Sequence, residues 1–308
     1  MRFYKHPTVL NQQQPSVVCI GNFDAVHLGH QALIKRANEL AEQNNWQSVA
    51  CFFEPQPKEY FLKEKAPCRI TNLRNKLHWL DHYKVDTAYC IGFNKSIQTL
   101  SATQFVEDIL LKQLNAKAII VGDDFRFGCN RDGDFEFLKH TLKPMGVQVE
   151  QAQSVTANNK RISSSLIRKH LQQGDIKSTH ALLGREYSII GKVVHGNHLG
   201  RTINTPTANI SLKTLLPAID GVWACTVQIN NKTVNAVANV GARPTINSFK
   251  PILEVHLLDF DQDIYDQIIE TRFVKKIRDI KKFNSLEELK AQIQQDIHTA
   301  KIIFQEAN

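Results

Sequence analysis

The sequence GNFDAVHLGH, residues 21–30, joins a short apolar run at 17–20 to a segment with helical periodicity at 28–43. A strand that leads directly into a helix brings free backbone N–H groups and the positive end of the helix dipole to this sequence, which favours phosphate binding. Gly29 allows a ligand to approach the backbone closely, and His27 and His30 can donate hydrogen bonds to phosphate oxygens. Two surface histidines at an ordinary helix start are the alternative, but the preceding strand and the residues GNFD favour the phosphate site.

The same alternation of strand and helix continues through the first half of the chain. Apolar runs at 49–53, 88–93 and 118–121 are typical of buried strands, and the segment 71–83 has helical periodicity. Ser101 and Gln104 have the spacing of a capping box, which predicts another helix start. This alternation indicates an α/β fold with a parallel sheet covered by helices on both faces. Such sheets bind ligands at the carboxyl ends of their strands.

The pattern changes after about residue 185. Short β-rich runs separated by turn signals predict an antiparallel barrel or sandwich, and they lie at 187–194, 222–229, 233–240 and 253–258. The segment 285–304 then has the periodicity of a closing helix, with Ser285 and Glu288 as its capping box. We therefore expect two domains, residues 1–184 and 185–308.

Composition excludes several classes of protein. Hydrophobic residues make up 42% and charged residues 22% of the 308 residues, which is typical of a globular chain and excludes disorder of the whole chain. No apolar run reaches the roughly 18 residues of a membrane helix, and the first residues lack the apolar stretch of a secretion signal. Six cysteines without a CxxC pair indicate reduced thiols. These features predict a soluble, cytoplasmic protein.

The net charge of +8 leaves the class of partner open. Basic charge can attract nucleic acid or a small polyanion such as a nucleotide, and an ordinary, slightly basic surface explains it equally well. The basic run at 272–282 alternates with apolar residues, which favours an amphipathic edge with solvated lysines over a nucleic-acid site.

A second group of phosphate-binding residue types lies far from the first, in the sequence RISSSLIR at 161–168. Its three serines predict a second helix N-terminus, and Arg161 and Arg168 flank that start. Hydroxyls, free amides and two guanidiniums together can hold a polyphosphate. The alternative is an ordinary serine cap with a solvated arginine. If this motif is considered by itself, that alternative is favoured. The presence of HxGH in the same α/β domain favours the polyphosphate site.

These two motifs resemble those of the nucleotidyltransferase superfamily, in which HxGH and a distal SSxxR meet around ATP. Further motifs make the chain similar to the bacterial bifunctional riboflavin kinase/FAD synthetase family: FEPQP at 53–57, VGDDFRFG at 121–128, GDF at 133–135, PTAN at 206–209 and LEVHLLDF at 253–260. The resemblance covers nearly the whole chain, in the expected order. It implies a Rossmann-like nucleotidyltransferase domain with a parallel sheet, then a small antiparallel β-barrel riboflavin kinase domain with a C-terminal helix.

The resemblance also implies two reactions. The barrel would phosphorylate riboflavin with ATP to give FMN, and the first domain would join FMN to AMP from a second ATP, giving FAD and pyrophosphate. Glu254 would be the general base on the riboflavin 5′-hydroxyl, although a lone carboxylate on a strand is often just on its solvated face. The implied catalytic residues are His27, His30, Ser164, Arg168 and Glu254.

The implied binding residues come from both halves of the chain. In PTAN, a threonine hydroxyl and an asparagine amide oxygen lie near Mg–ATP in the family, which fits the preference of Mg²⁺ for hard oxygen ligands. A strand-opening turn is the alternative interpretation of PTAN. The expected metal ligands are Thr207 and Asn209. The expected binding residues for ATP and flavin are Gly21, Phe23, Asp24, Gly29, Asp124, Arg161, Ser163, Ser165, Gly200, Thr207 and Asn209.

Several positions depart from the family pattern. Ala25 stands at a usual Gly, Gln56 at a usual His, Trp223 at a usual Tyr, and Asn204 and Thr205 at a usual Gly-Phe. None is a residue assigned to the chemistry, so these positions affect the expected affinities more than the expected reaction class.

Two other functions stay open from the sequence. One is a nucleotidyltransferase that acts on a different phosphorylated substrate, with the barrel as a binding module; PTAN and Glu254 argue against it. The other is a non-enzymatic nucleic-acid-binding or regulatory protein, and the paired HxGH and SSxxR motifs argue against it. We expect flavins and ATP as partners, without nucleic acid or membrane. The oligomeric state is left open.

Overall fold

The computed structural model describes residues 1–5, 14–157, 159–195, 205–212, 217–230, 232–245 and 248–306. The chain forms two compact units. The first consists of Met1–Pro67 and Lys76–Ser163, and the second of Cys68–Asn75 and Ser164–Asn308.

The first unit is built on a six-stranded parallel sheet with the strand order β1-β4-β3-β2-β5-β6. The strands are β1 Arg2–Lys5, β2 Ser16–Ile20, β3 Gln47–Phe53, β4 Thr87–Ile91, β5 Ala116–Val121 and β6 Gln148–Gln151. Every residue of β2 and β4 is buried, as expected where helices cover both faces of a parallel sheet. The predicted α/β class is confirmed.

Helices connect these strands, and a short hairpin ends the unit. The helices are α1 Leu28–Asn44, α2 Pro57–Leu62, α3 Leu73–His82, α4 Lys95–Gln98, α5 Ala102–Gln104, a π-helix Phe105–Gln113 and α6 Phe135–Leu142. The hairpin is formed by β7 Thr156–Ala157 and β8 Lys160–Arg161. The predicted capping box is present, since the Ser101 hydroxyl accepts from the Gln104 N–H and the Gln104 side chain accepts from the Ser101 N–H. The helix α1 buries the predicted apolar stripe, which includes Leu33, Ala37 and Leu40.

The helix α3 departs from its predicted pattern. The spacing of Leu73, Leu77 and Leu80 predicts one apolar stripe, but Leu73 and Leu77 are half-buried while Asn75 and Lys76 are fully buried. Buried polar side chains in a helix need partners. Asn75 has them in the second unit, where its amide donates to the Ser188 carbonyl and accepts from the Ile190 N–H.

The second unit is a closed antiparallel barrel with the order β10-β13-β12-β11-β14-β9, preceded and followed by helices. The elements are α7 Ser164–Gln172, α8 Ile176–Leu183, β9 Ser188–Val194, β10 Ala208–Ser211, β11 Gly221–Ile229, β12 Lys232–Thr245, β13 Ser248–Leu257, β14 Ile268–Arg278 and α9 Leu286–Glu306. The predicted antiparallel β architecture with a closing helix is confirmed, as a barrel.

The closing helix α9 lies on the outer face of the barrel. Ile303 and Phe304 pack with Ala224 on β11 and with Val237 on β12. Asp296, almost fully buried, accepts a bidentate pair of hydrogen bonds from Arg278, with its oxygens 2.8–3.1 Å from Nε and Nη2. The apolar contacts and this ion pair fix α9 on strands β11, β12 and β14.

Candidate active sites

The first site begins in the loop between β2 and α1. Phe23, Ala25 and Val26 all have positive φ angles, of 48°, 82° and 45°. This conformation costs a non-glycine residue of the order of 1–3 kcal/mol and persists only where the surroundings impose it. All three side chains are buried, and Asp24 between them is 1% exposed. The loop therefore holds a strained backbone in front of the helix start, as is common in ligand-binding sites.

His27 and His30 form a stacked pair at this helix start. Their ring centroids lie 3.8 Å apart with an interplanar angle of 17°, and the Phe23 ring contacts His30 at 5.3 Å. His27 is the N-cap of α1, and its Nδ1 accepts from the backbone N–H of His30 at 3.3 Å. A nitrogen that accepts carries no proton, so neutral His27 holds its proton on Nε2.

Burial favours a neutral imidazole at His30. It lowers the pKa of His30 well below its usual range, with further contributions from His27 and Lys76. The Nδ1 atom of His30 is buried without a hydrogen-bond partner. Its Nε2 atom is then the nitrogen through which this ring can meet a ligand. Imidazole donors of this kind suit the oxygens of a polyphosphate.

Lys76 supplies a buried positive charge that the sequence analysis missed. Its side chain is 0% exposed. Its Nζ atom lies 3.9 Å from Oε2 of Glu54 and 4.6 Å from the centroid of the Phe52 ring. A lysine is almost never fully buried unless it is paired. The only sequence signal was a lysine within an otherwise apolar helix face, which by itself does not indicate a site.

Arg161 and Asp124, both predicted as binding residues, are brought together in the first unit. An Arg161 Nη2 atom lies 2.5 Å from Asp123 Oδ1 and 3.0 Å from Asp124 Oδ1. The Ser154 hydroxyl donates to the other Asp123 oxygen at 2.5 Å. All of these groups are largely exposed, so the ion pairs contribute little to stability and are open to competition by a ligand.

Gly29 lies beside the segment that carries Arg161. A Cβ at Gly29 would be 3.1 Å from His27 Cε1 and 3.8 Å from the carbonyl oxygen of Ile162. The HxGH helix start and residues 161–163 therefore adjoin each other within the first unit. Ser163 is the last residue of this unit.

The remaining residues of the serine motif belong to the second unit. Ser164 and Ser165 open α7, as predicted. Arg168 follows on the same helix, and its Nε donates to the Cys68 carbonyl at 2.6 Å. Their approach to the histidine pair stays a prediction from the sequence.

An aromatic cluster lies at the ligand-binding edge of the parallel sheet, and the sequence analysis missed it. Phe53 ends β3, Phe93 follows β4, and Tyr60 and Phe61 lie on α2. Phe93 meets the other three rings edge to face, with centroids 5.2–5.7 Å apart. Phe61 is 56% exposed, which is unusual for a ring in a cluster. The carboxyl edge of such a sheet is where ligands bind, so this surface suits a planar, conjugated ligand.

The candidate site of the second unit is a row of three polar side chains across neighbouring strands. Asn209 on β10 and Asn239 on β12 both pair with Glu254 on β13, one on each side. The Asn239 amide donates to Glu254 Oε2 at 3.2 Å. The Asn209 amide donates to the Thr207 carbonyl at 3.4 Å, and its Oδ1 is buried without a hydrogen-bond partner.

A cleft of about 240 Å³ borders the Asn209 end of this row, and its lining includes Val255 but neither Glu254 nor Asn239. Thr207 and Asn209 line it on one side, and Phe260 and Tyr265 line it with the acidic segment 261–263 on the other. His256 lies beside Glu254 on β13, and its Nδ1 is 2.8 Å from the carbonyl oxygen of Pro206, which fixes the start of PTAN next to the row. Gly200, another predicted binding residue, lies outside the described residues.

The donors at PTAN fit a magnesium ion bound mainly through a nucleotide. A partnerless, buried amide oxygen at Asn209 and the hydroxyl of Thr207 are hard oxygen ligands, and Mg²⁺ is usually held by few protein oxygens together with phosphates. In the part of the chain that the structure describes, no group of three or more His, Cys, Asp or Glu side chains is arranged to hold a metal ion.

Comparison with known proteins matches each half of the chain to a protein family. Residues 9–166 match the family model of FAD synthetase, and residues 183–304 match that of riboflavin kinase. Bifunctional riboflavin kinase/FMN adenylyltransferases are similar to this chain along nearly its whole length. The Haemophilus influenzae protein is 43% identical over 94% of this chain and 95% of its own. The Escherichia coli K12 protein is 42% identical over 95% and 94%.

The chain belongs to this family. The resemblance found in the sequence is confirmed. A solved structure from Streptococcus pneumoniae, described as a macrolide-efflux protein, has the same fold, with a TM-score of 0.79, 31% identity and coverage of 97% of this chain and 98% of that one. Within the described ranges, no helix of this family member is long and apolar enough to cross a membrane.

The structure describes four of the five positions that depart from the family pattern. Ala25 holds a φ of 82°, a conformation that glycine adopts without strain. Gln56 and Thr205 are buried, and each has a polar atom without a hydrogen-bond partner, Nε2 and Oγ1 respectively. Trp223 is fully buried, and its Nε1 donates to the Asp220 carbonyl at 2.7 Å. Asn204 lies outside the described residues.

Proposed function

We propose that this chain makes FMN from riboflavin and ATP in residues 185–308, and FAD from FMN and a second ATP in residues 1–184. One observation carries the proposal: each compact unit has its own candidate site, and the two candidates differ in chemistry. The first has two stacked imidazoles at a helix start, and the second has a carboxylate between two amides. The proposed compartment is the cytoplasm.

In the kinase reaction, Glu254 accepts the proton of the riboflavin 5′-hydroxyl while that oxygen bonds to the γ-phosphorus of ATP and the bond to the β-phosphate oxygen breaks. A base at this point is needed because the nucleophile is a neutral alcohol. Thr207 and Asn209 would hold the magnesium that accompanies ATP, which neutralises charge on the phosphates. The cleft lined by Phe260 and Tyr265 has room for part of a nucleotide.

In the adenylyltransferase reaction, an oxygen of the FMN phosphate bonds to the α-phosphorus of ATP, and pyrophosphate leaves. The nucleophile is already an anion, so the protein positions the reactants and stabilises charge. His27 and His30 donate through Nε2 to phosphate oxygens. The predicted cradle for the leaving phosphates consists of Arg161, Ser163, Ser164, Ser165 and Arg168. The loop residues Gly21, Phe23, Asp24 and Gly29 shape the nucleotide side of this site.

The flavin ring of FMN fits the aromatic cluster of Phe53, Tyr60, Phe61 and Phe93. The cluster lies at the carboxyl edge of the sheet, as the loop of Asp124 does, and its exposed member Phe61 can pack against one face of a flat ring. Asp124 would then contact the flavin or the nucleotide once Arg161 turns to phosphate.

The experiment is to incubate the purified protein with riboflavin, ATP and Mg²⁺ and to follow FMN and FAD by chromatography. We expect FMN first and FAD after it, and FAD alone as the product when FMN replaces riboflavin. His30→Ala should abolish FAD formation and spare FMN formation, and Glu254→Gln should do the reverse. Absence of both products would refute the proposal and favour another phosphorylated substrate.

A further inference from the structure

Asn239 lies directly opposite Glu254 on the neighbouring strand, and no sequence motif marks it. The neighbours of Glu254 on β13, Leu253 and Val255, are fully buried in the barrel, so Glu254 points to the opposite, outer face. Asn239 is likewise flanked by fully buried residues on β12. Val237, two positions along, packs under α9 on that outer face. Asn239 and Glu254 therefore share a face, at directly paired positions.

The contact between them has one chemically sensible orientation. A carboxylate only accepts hydrogen bonds, so the asparagine must present its NH₂ group to it. The structure has this arrangement, with Nδ2 of Asn239 3.2 Å from Oε2 of Glu254. On the other side of Glu254, Asn209 directs its NH₂ to the Thr207 carbonyl and keeps its oxygen unpartnered. The two amides that flank Glu254 are thus used differently.

We propose that Asn239 is a positioning residue of the kinase site, which holds one oxygen of Glu254 and so directs the other oxygen toward the hydroxyl of riboflavin. This inference rests on the proposed role of Glu254 as the base. A donor on one carboxylate oxygen restricts rotation of the group. An oriented carboxylate can accept the proton as phosphoryl transfer proceeds. Misplacement of a reacting group by about 1 Å costs about 100-fold in rate.

The strands that flank β13 place Asn209 and Asn239 beside Glu254. Strand β10 carries no titratable residue, and at this level both neighbouring strands contribute a neutral amide. Among the described side chains, the titratable group that shares the outer face of β13 with Glu254 is His256, which is bound to the Pro206 carbonyl. The charged side chain of β12 that the structure describes, Lys232, lies at the far end of that strand.

The test compares Asn239→Ala and Asn239→Asp with the natural protein in kcat and KM for FMN formation. Asn239→Ala should lower kcat about 10- to 100-fold with little change in KM, because a hydrogen bond to a carboxylate is lost. Asn239→Asp has the same shape but replaces the donor with a second carboxylate. It should lower kcat at least as much as Asn239→Ala, because an acceptor cannot hold the oxygen of Glu254.

A matched control is Asn235→Asp, which adds the same charge at an exposed position on the same strand, four residues earlier. It should leave both kcat and KM unchanged. FMN adenylylation by each variant, measured with FMN and ATP, reports whether the chain is folded and active in its other unit. Asn239 variants that raise KM for riboflavin or ATP and keep the natural kcat would overturn the positioning role.

Failure of the base assignment is detected separately. If Glu254→Gln retains the FMN-forming rate of the natural protein, Glu254 is not the base, whatever the Asn239 variants do. If Glu254→Gln loses the rate and both Asn239 variants keep the natural kcat, only the inference about Asn239 fails.

Discussion

Replacement of His30 by glutamine and by asparagine distinguishes which ring nitrogen works in FAD formation. Nδ1 of His30 is buried without a partner, so we infer that Nε2 makes the contact to phosphate. The amide nitrogen of glutamine reaches about the position of Nε2, and that of asparagine reaches only about the position of Nδ1. Glutamine should therefore keep a donor in the site, whereas asparagine should place its donor in the buried position.

The magnitude follows from the loss of one preorganised donor. Removal of such a donor from a developing charge costs about 100- to 1,000-fold in rate, or roughly 2.7–4 kcal/mol. We expect His30→Ala and His30→Asn to lose that much in kcat/KM for FAD formation. His30→Gln should recover about tenfold of the loss, because a neutral donor returns to the right place but lacks the stacked ring of His30 on His27.

The assay is FAD formation from FMN and ATP, followed by chromatography. FMN formation from riboflavin by the same preparation is the internal control, because His30 has no place in the kinase site. An asparagine variant as active as the glutamine variant, or an alanine variant within a few-fold of the natural protein, would refute the reasoning.

Three other contacts can be tested: burial of His30, the ion pair of Asp296 and the exposed ring of Phe61. The pKa of His30 is lowered in the folded protein, so below about pH 6.5 the unfolded chain binds a proton that the folded chain does not. The free energy of unfolding should therefore fall more between about pH 7.5 and 5.5 in the natural protein than in His30→Gln. Thermal denaturation at a series of pH values measures this difference. Asp296→Ala removes the carboxylate that pairs with the largely buried Arg278, and should lower the free energy of unfolding of the second unit by about 3 kcal/mol in urea denaturation. Phe61→Ala should raise KM for FMN about three- to tenfold and leave KM for ATP unchanged in steady-state kinetics, since a ring contact contributes about 0.5–1.5 kcal/mol.

The periodic elements of the fold could be predicted because their signals are local. The apolar stripe of α1, the capping box at Ser101 and the alternation in β11 each lie within a few residues of sequence. The strands β1 and β14 were missed. β1 is a short, mostly exposed edge strand, and in β14 outward-facing lysines made a strand look like a basic run. Whether such a segment forms a strand depends on its position in the sheet and on its partner strands. The sequence alone shows neither.

The residues of the candidate sites also fall into those that the sequence locates and those that it does not. The histidine pair and PTAN are contiguous motifs, so the sequence locates them. Asn239 is fifteen residues from Glu254 and meets it only through the register of β12 and β13. Lys76 reaches Glu54 only because α3 packs against the end of β3 within the first unit. Contacts of this kind depend on register and packing, which composition and periodicity do not specify.

The two proposed reactions need opposite groups, and the two sites supply them. A riboflavin hydroxyl must lose a proton, so the kinase site needs an acceptor, and the Asn239 amide holds one oxygen of Glu254 and leaves the other for that proton. The FMN phosphate is already an anion, so the other site needs donors rather than a base, and burial keeps His30 a neutral donor. The same substrate, ATP, is therefore used by an oriented acceptor in one unit and by buried donors in the other.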